Sequence, residues 1–90
     1  MTQITITRND ETFTGKILKH IHTISCWANG NYELNLVMWD KPINGSFITY
    51  DYRLWESDTK YHGGGLQFSK YELQRFACAY EKIKDLDFDI

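Results

Sequence analysis

From Phe47 to Trp55 the side chains alternate in kind, with the period of two that a β-strand imposes. Ile48, Tyr50, Tyr52 and Leu54 form an apolar and aromatic series, whereas Phe47, Thr49, Asp51, Arg53 and Trp55 mix charge with rings. This predicts a strand with its apolar face on a helix and its mixed face free. Lys16–Trp27 predicts an earlier strand, but with two mixed faces: Ile17, Lys19, Ile21, Thr23 and Ser25 against Leu18, His20, His22 and Ile24. Ala28-Asn29-Gly30-Asn31 signals a hairpin turn, and Tyr32–Trp39 returns as a strand rich in Leu34, Leu36, Val37 and Met38. Asp40–Ser46, with Pro42 and Asn44-Gly45, is the next turn. After Trp55 come a polar connector, the run Gly63-Gly64-Gly65, and a short strand at Leu66–Phe68. The predicted core is a four-stranded antiparallel meander. Before it, Ile4 and Ile6 alternate with threonines and Asn9-Asp10 signals a turn, so residues 1–15 read as an extension, either an added hairpin or a loose arm.

A helix closes the pattern. Ser69 is a good N-cap and Glu72 completes a capping box. Leu73, Phe76, Ala77, Tyr80, Ile83 and Lys84 follow the three-and-four spacing of an amphipathic stripe. Asp85, Asp87 and Asp89 oppose the helix dipole, so the helix should end near Asp85. The remainder, Leu86–Ile90, reads as an extended acidic tail. The expected class is therefore α+β, a meander followed by a C-terminal amphipathic helix, with the domain at 16–86 and the tail at 87–90.

Composition narrows the function. Ninety residues make one domain with a thin core, for which a second copy would add burial. Aromatic residues make up 16% of the chain and supply large area per side chain. A net charge of −2 argues against a globally basic nucleic-acid binder and leaves room only for a local strip. Between Lys16 and His62, Lys16, Lys19, Lys41, Arg53 and Lys60 are balanced by Glu33, Asp40, Asp51, Glu56 and Asp58. No secretory signal pattern and no membrane-length apolar run are present, so a cytoplasmic protein with reduced thiols is expected. Cys78, beside the helix stripe, reads as a buried, inert thiol.

The candidate chemistry is that of binding, with no enzymatic activity expected. Three glycines suit a tight entry into the next strand, and no GK[ST] follows, so a nucleotide P-loop is not indicated. Arg53 can grip a phosphate or pair with Asp51 as a surface ion pair. Trp55 can stack a base or fill a dimer seam. Lys60, Lys19, Trp39 and Tyr61 are further candidates. His20 and His22, two apart on a strand, share a face but lack converging third and fourth ligands, so no metal and no cofactor are expected. No nucleophile, base and orienting group fall at a catalytic spacing.

Glu33-Leu34-Asn35, Asp51-x-Arg53-x-Trp55, Gly63-x-Gly65 before Leu66-Gln67-Phe68, and the Ser69-capped helix stand in an order that resembles a known family. It is the transcriptional coactivator family positive cofactor four, especially its bacterial YdbC-like branch, and the likeness covers roughly residues 17–86. The resemblance implies a homodimer whose curved sheets present ridges to single-stranded DNA, with helices on the opposite side. It places Arg53 and Trp55 on the ligand face and Lys60 in the connector. One departure stands out: the family usually has a lysine or arginine where this chain has Gly64.

The reading is thus a homodimeric, non-enzymatic binder of single-stranded DNA or RNA. Its cations would track the backbone while its rings stack bases. The alternative is a protein-interaction module, of the kind a small phage-type inhibitor uses.

Overall fold

The computed structural model describes residues 3–86, and of Trp27 the backbone alone. Five strands lie in chain order in one antiparallel sheet: β1 (Gln3–Arg8), β2 (Glu11–Trp27), β3 (Gly30–Ile43), β4 (Ser46–Trp55) and β5 (Leu66–Phe68). The helix α1 (Lys70–Ile83) follows. Turn chemistry fixes the hairpins. Asn9 and Asp10 join the partners Arg8 and Glu11 at φ of 51° and 66°, and Asn44 and Gly45 join Ile43 and Ser46 at φ of 53° and 83°. These left-handed pairs match the twist of the strands they connect.

Residues 3–15, set apart as an extension in the sequence, are built into the sheet. β2 passes residue 15 without a break, and its first part pairs with β1. The sheet then curls until its ends meet. Thr5 donates its backbone N–H to the Tyr61 hydroxyl at 2.8 Å, and Arg8 donates from Nη1 to Gln67 Oε1 at 3.1 Å. Inside the curl lies the core of Ile4, Ile6, Phe13, Val37, Trp39, Ile43 and Trp55, with Ile17 and Tyr61 packed on it.

This curl reverses the expected faces of β4. Thr49, Asp51, Arg53 and Trp55 are buried, while Ile48 is exposed and Tyr50, Tyr52 and Leu54 are half-buried. A period of two says which residues share a face, not which face turns inward. The N-terminal hairpin decides it by laying Ile4, Ile6 and Phe13 inside the curl with Trp39 and Trp55. The mixed face is thereby the core face.

β2 shows why its two faces looked mixed. Its pairing with β3 slips between Ile17 and Lys19, between His20 and His22, and between Thr23 and Ser25. The residues skipped are Leu18, Ile21 and Ile24, all apolar and all exposed. Each bulge inserts one residue and bends the strand, so the alternation is reset three times.

α1 has the expected cap. Ser69 Oγ accepts from the Glu72 N–H at 3.1 Å, and Glu72 Oε1 accepts from the Ser69 N–H at 2.9 Å. The Lys84 N–H closes the last turn on the Tyr80 carbonyl at 3.0 Å. The stripe, however, is not packed on the sheet. α1 meets it chiefly at β5, where Phe68 and Phe76 make an edge-to-face contact with ring centroids 5.2 Å apart. No residue of the helix is buried, and Phe76, Tyr80 and Ile83 are each more than half exposed. The proposed tail at 87–90 lies outside the described residues.

Candidate nucleic-acid interface

The site grows from the Asp51–Arg53 pair, two residues apart on the inner face of β4. Arg53 donates from Nε to Asp51 Oδ2 and from Nη2 to Asp51 Oδ1, both at 2.7 Å, in a two-pronged bond. Both side chains are fully buried. The remaining guanidinium nitrogen, Nη1, donates to the His62 carbonyl at 2.8 Å and the Gly63 carbonyl at 3.3 Å. Gln67 of β5 adds a bond from Nε2 to Asp51 Oδ1 at 2.9 Å. A charge pair so satisfied fixes the glycine run to the sheet. The approach is close: a Cβ at Gly65 would sit 2.7 Å from Arg53 Nη2, whereas one at Gly64 would meet open space.

These bonds correct both readings of Arg53. It is neither a surface ion pair nor a free phosphate ligand, because no part of its side chain reaches solvent. Trp55 is likewise interior, packed against Tyr61 with centroids 5.0 Å apart. It fills the core of one chain and not a seam between two. Its indole N–H is buried without a hydrogen-bond partner. Trp39 is also buried, its Nε1 donating to Thr49 Oγ1 at 2.8 Å. Tyr61 is half-buried, its hydroxyl holding β1. Only Lys19 and Lys60 of the expected contacts stand in solvent, and Lys60 lies 3.4 Å from Glu56.

The structure brings forward two other rings. Tyr32 of β3 and Tyr52 of β4 stack on the outer face, with centroids 5.3 Å apart and planes 14° from parallel. Together with Leu66, Gly64, Gly65 and Arg53 they line an open cleft of about 400 Å³. One wall is aromatic and another is glycine backbone, so a flat ring meets little obstruction there. The alternation along β4 assigns Tyr52 to the face beneath a helix, where a ring reads as core and not as contact. Counting back from the Asn44-Gly45 turn would not have found the pair, because the β3–β4 register slips between Met38 and Ile43. Only beyond that slip does Leu34 face Tyr52 and Tyr32 face Leu54, which brings the two rings together on one face.

Across the outer face, Lys16 pairs with Met38, Lys19 with Leu36 and His22 with Leu34. The pairing of β1 with β2 ends at Gln3 and Lys16, so among the described residues Lys19 and His22 lie on a sheet edge with no strand beside it. The bulge between His20 and His22 puts them opposite successive residues, Asn35 and Leu34, and hence on opposite faces. They do not form the expected pair. His20 Nδ1 lies 2.9 Å from Asn35 Oδ1. Among the described residues no group of three or more His, Cys, Asp or Glu could hold a metal ion. Cys26 and Cys78 are both exposed, contrary to the buried thiol expected at Cys78, because α1 leaves the sheet instead of lying on it. No helix among the described residues is long and apolar enough to cross a membrane. No family model, curated protein or solved structure matches the chain.

Proposed function

We propose that this protein binds single-stranded nucleic acid as a homodimer and catalyses no reaction. The observation that carries the reading is the Tyr32–Tyr52 stack beside the glycine run. A half-buried ring wall that opens onto side-chain-free backbone accepts an unpaired base of any kind, because every base has a π-face. A duplex hides those faces in its own stack. Lys19 on the neighbouring edge and Lys60 in the connector are two exposed cations for the backbone. The resemblance to the positive-cofactor-four family supports the same activity, with the rings carrying it moved from the inner to the outer side of the sheet.

The homodimer is supported by what the single chain leaves bare. Phe76, Tyr80 and Ile83 on α1, and Met38 and Ile48 at the end of the outer face away from the tyrosine cleft, are all exposed. Exposed apolar side chains gathered on one helix stripe and on one sheet face belong against another surface. A second copy bringing the same stripe would cover it symmetrically.

A fluorescence-anisotropy titration with a labelled unpaired oligonucleotide tests the base contact. Tyr52→Ala should weaken binding by about 1–3 kcal/mol. Unchanged affinity would remove the tyrosine cleft from the interface. Binding of a protein partner at the bare helix, with no affinity for oligonucleotides, would favour the interaction-module alternative.

A further inference from the structure

The glycine run has a second cleft on its other side. This one, of about 340 Å³, lies between β1 and β5 and is lined by Thr7, Arg8, Asn44, Gln67 and Gly63–Gly65. We propose that it is a phosphate site, occupied by the backbone of the bound nucleic acid, with Arg8 as its cation. The source of the phosphate rests on the single-strand reading above; the site itself rests on the residues assembled here.

Arg8 is placed by the curl of the sheet. Its Nη1 bond to Gln67 Oε1 aims the guanidinium across to β5, and Gln67 is itself held by Asp51. Only one of the five N–H donors of the guanidinium is used in that bond, leaving a fork suited to phosphate oxygens. Asp51 and Glu11, the acids linked to this corner by bonding or pairing, have other cations. Both oxygens of Asp51 are bonded to Arg53, and Glu11, opposite Arg8 in the β1–β2 pairing, lies 3.9 Å from Lys41. Gly63–Gly65 stand outside the β4–β5 pairing, and among the described residues their amides donate to no backbone carbonyl. Arg53 engages a carbonyl of the run, which leaves the amides as donors. Thr7 and Asn44 add a hydroxyl and an amide.

The position matters as much as the chemistry. Gly64, Gly65 and Leu66 line both clefts, so a strand crossing the run meets the tyrosines on one side and Arg8 on the other. Gly64 carries no cation of its own. Arg8, from the N-terminal hairpin, supplies one across space.

Amide NMR on the full chain tests this, with inorganic tripolyphosphate and unpaired oligothymidine titrated separately into the wild type and Arg8→Gln. Glutamine keeps a polar group for Gln67 and removes the charge, and a dispersed spectrum shows that the variant is folded. Both ligands should shift the Gly63–Gly65 amides in the wild type and lose that effect in Arg8→Gln. Oligonucleotide affinity should fall several-fold, with the salt dependence flattened by about one unit of slope. Unmoved glycine amides, or equal affinity and slope in the two proteins, would overturn the proposal. Arg8-dependent shifts with tripolyphosphate, without any oligonucleotide binding, would uphold the phosphate site and overturn the single-strand reading instead.

Discussion

Arg53 and Asp51 act on the fold, and through it on the proposed interface. A buried pair losing one member leaves an uncompensated charge in the core, which costs about 3–5 kcal/mol. Arg53→Ala should therefore lower stability by that order in denaturant titrations. A variant of unchanged stability that had merely lost affinity for nucleic acid would return Arg53 to the role the sequence first suggests. The two glycines beside it behave differently. Gly65→Ala should destabilise the protein, since its methyl group collides with the guanidinium held against it. Gly64→Lys meets open space and adds a cation between the two clefts. It should fold normally and bind oligonucleotides more tightly, most visibly at low salt. Weaker binding by a well-folded Gly64→Lys would argue that the strand does not cross the run.

At the scale of elements, local chemistry was legible and tertiary choice was not. The capping box, the Asn-Gly turn and the short strand at Leu66–Phe68 all follow from side chains close in sequence. Ser69→Ala should accordingly cost about 1 kcal/mol of stability. The orientation of β4 depended instead on Ile4, Ile6 and Phe13, distant residues read as an appendage. The bulges at Leu18, Ile21 and Ile24 hid the faces of β2, because each inserted residue restarts the alternation. The helix stripe was also legible, but not what it packs on. An amphipathic pattern announces a surface to be covered without saying whether this chain or another covers it.

The whole molecule combines a curled sheet, a closed polar network and an apolar helix that the sheet does not cover. Light scattering at micromolar concentration should report about twice the 10.7 kDa chain mass. Phe76→Glu with Tyr80→Glu should reduce it to the monomer, with the sheet intact by circular dichroism. A monomeric wild type would remove the proposed pairing through α1. The candidate interface was legible only in part. The glycine run and the Asp51-x-Arg53 spacing lie at the corner of the proposed interface, but the side chains that line its clefts include Tyr32, Tyr52 and Arg8. They converge from β3, β4 and β1 through register and curl, which no short motif records. The most direct test of the single-strand reading is a paired titration of the wild type with one oligonucleotide, unpaired and then annealed to its complement, at fixed salt. Clear binding of the unpaired strand and distinctly weaker binding of the duplex is the predicted result. Equal affinity for both, or none for either, would contradict it.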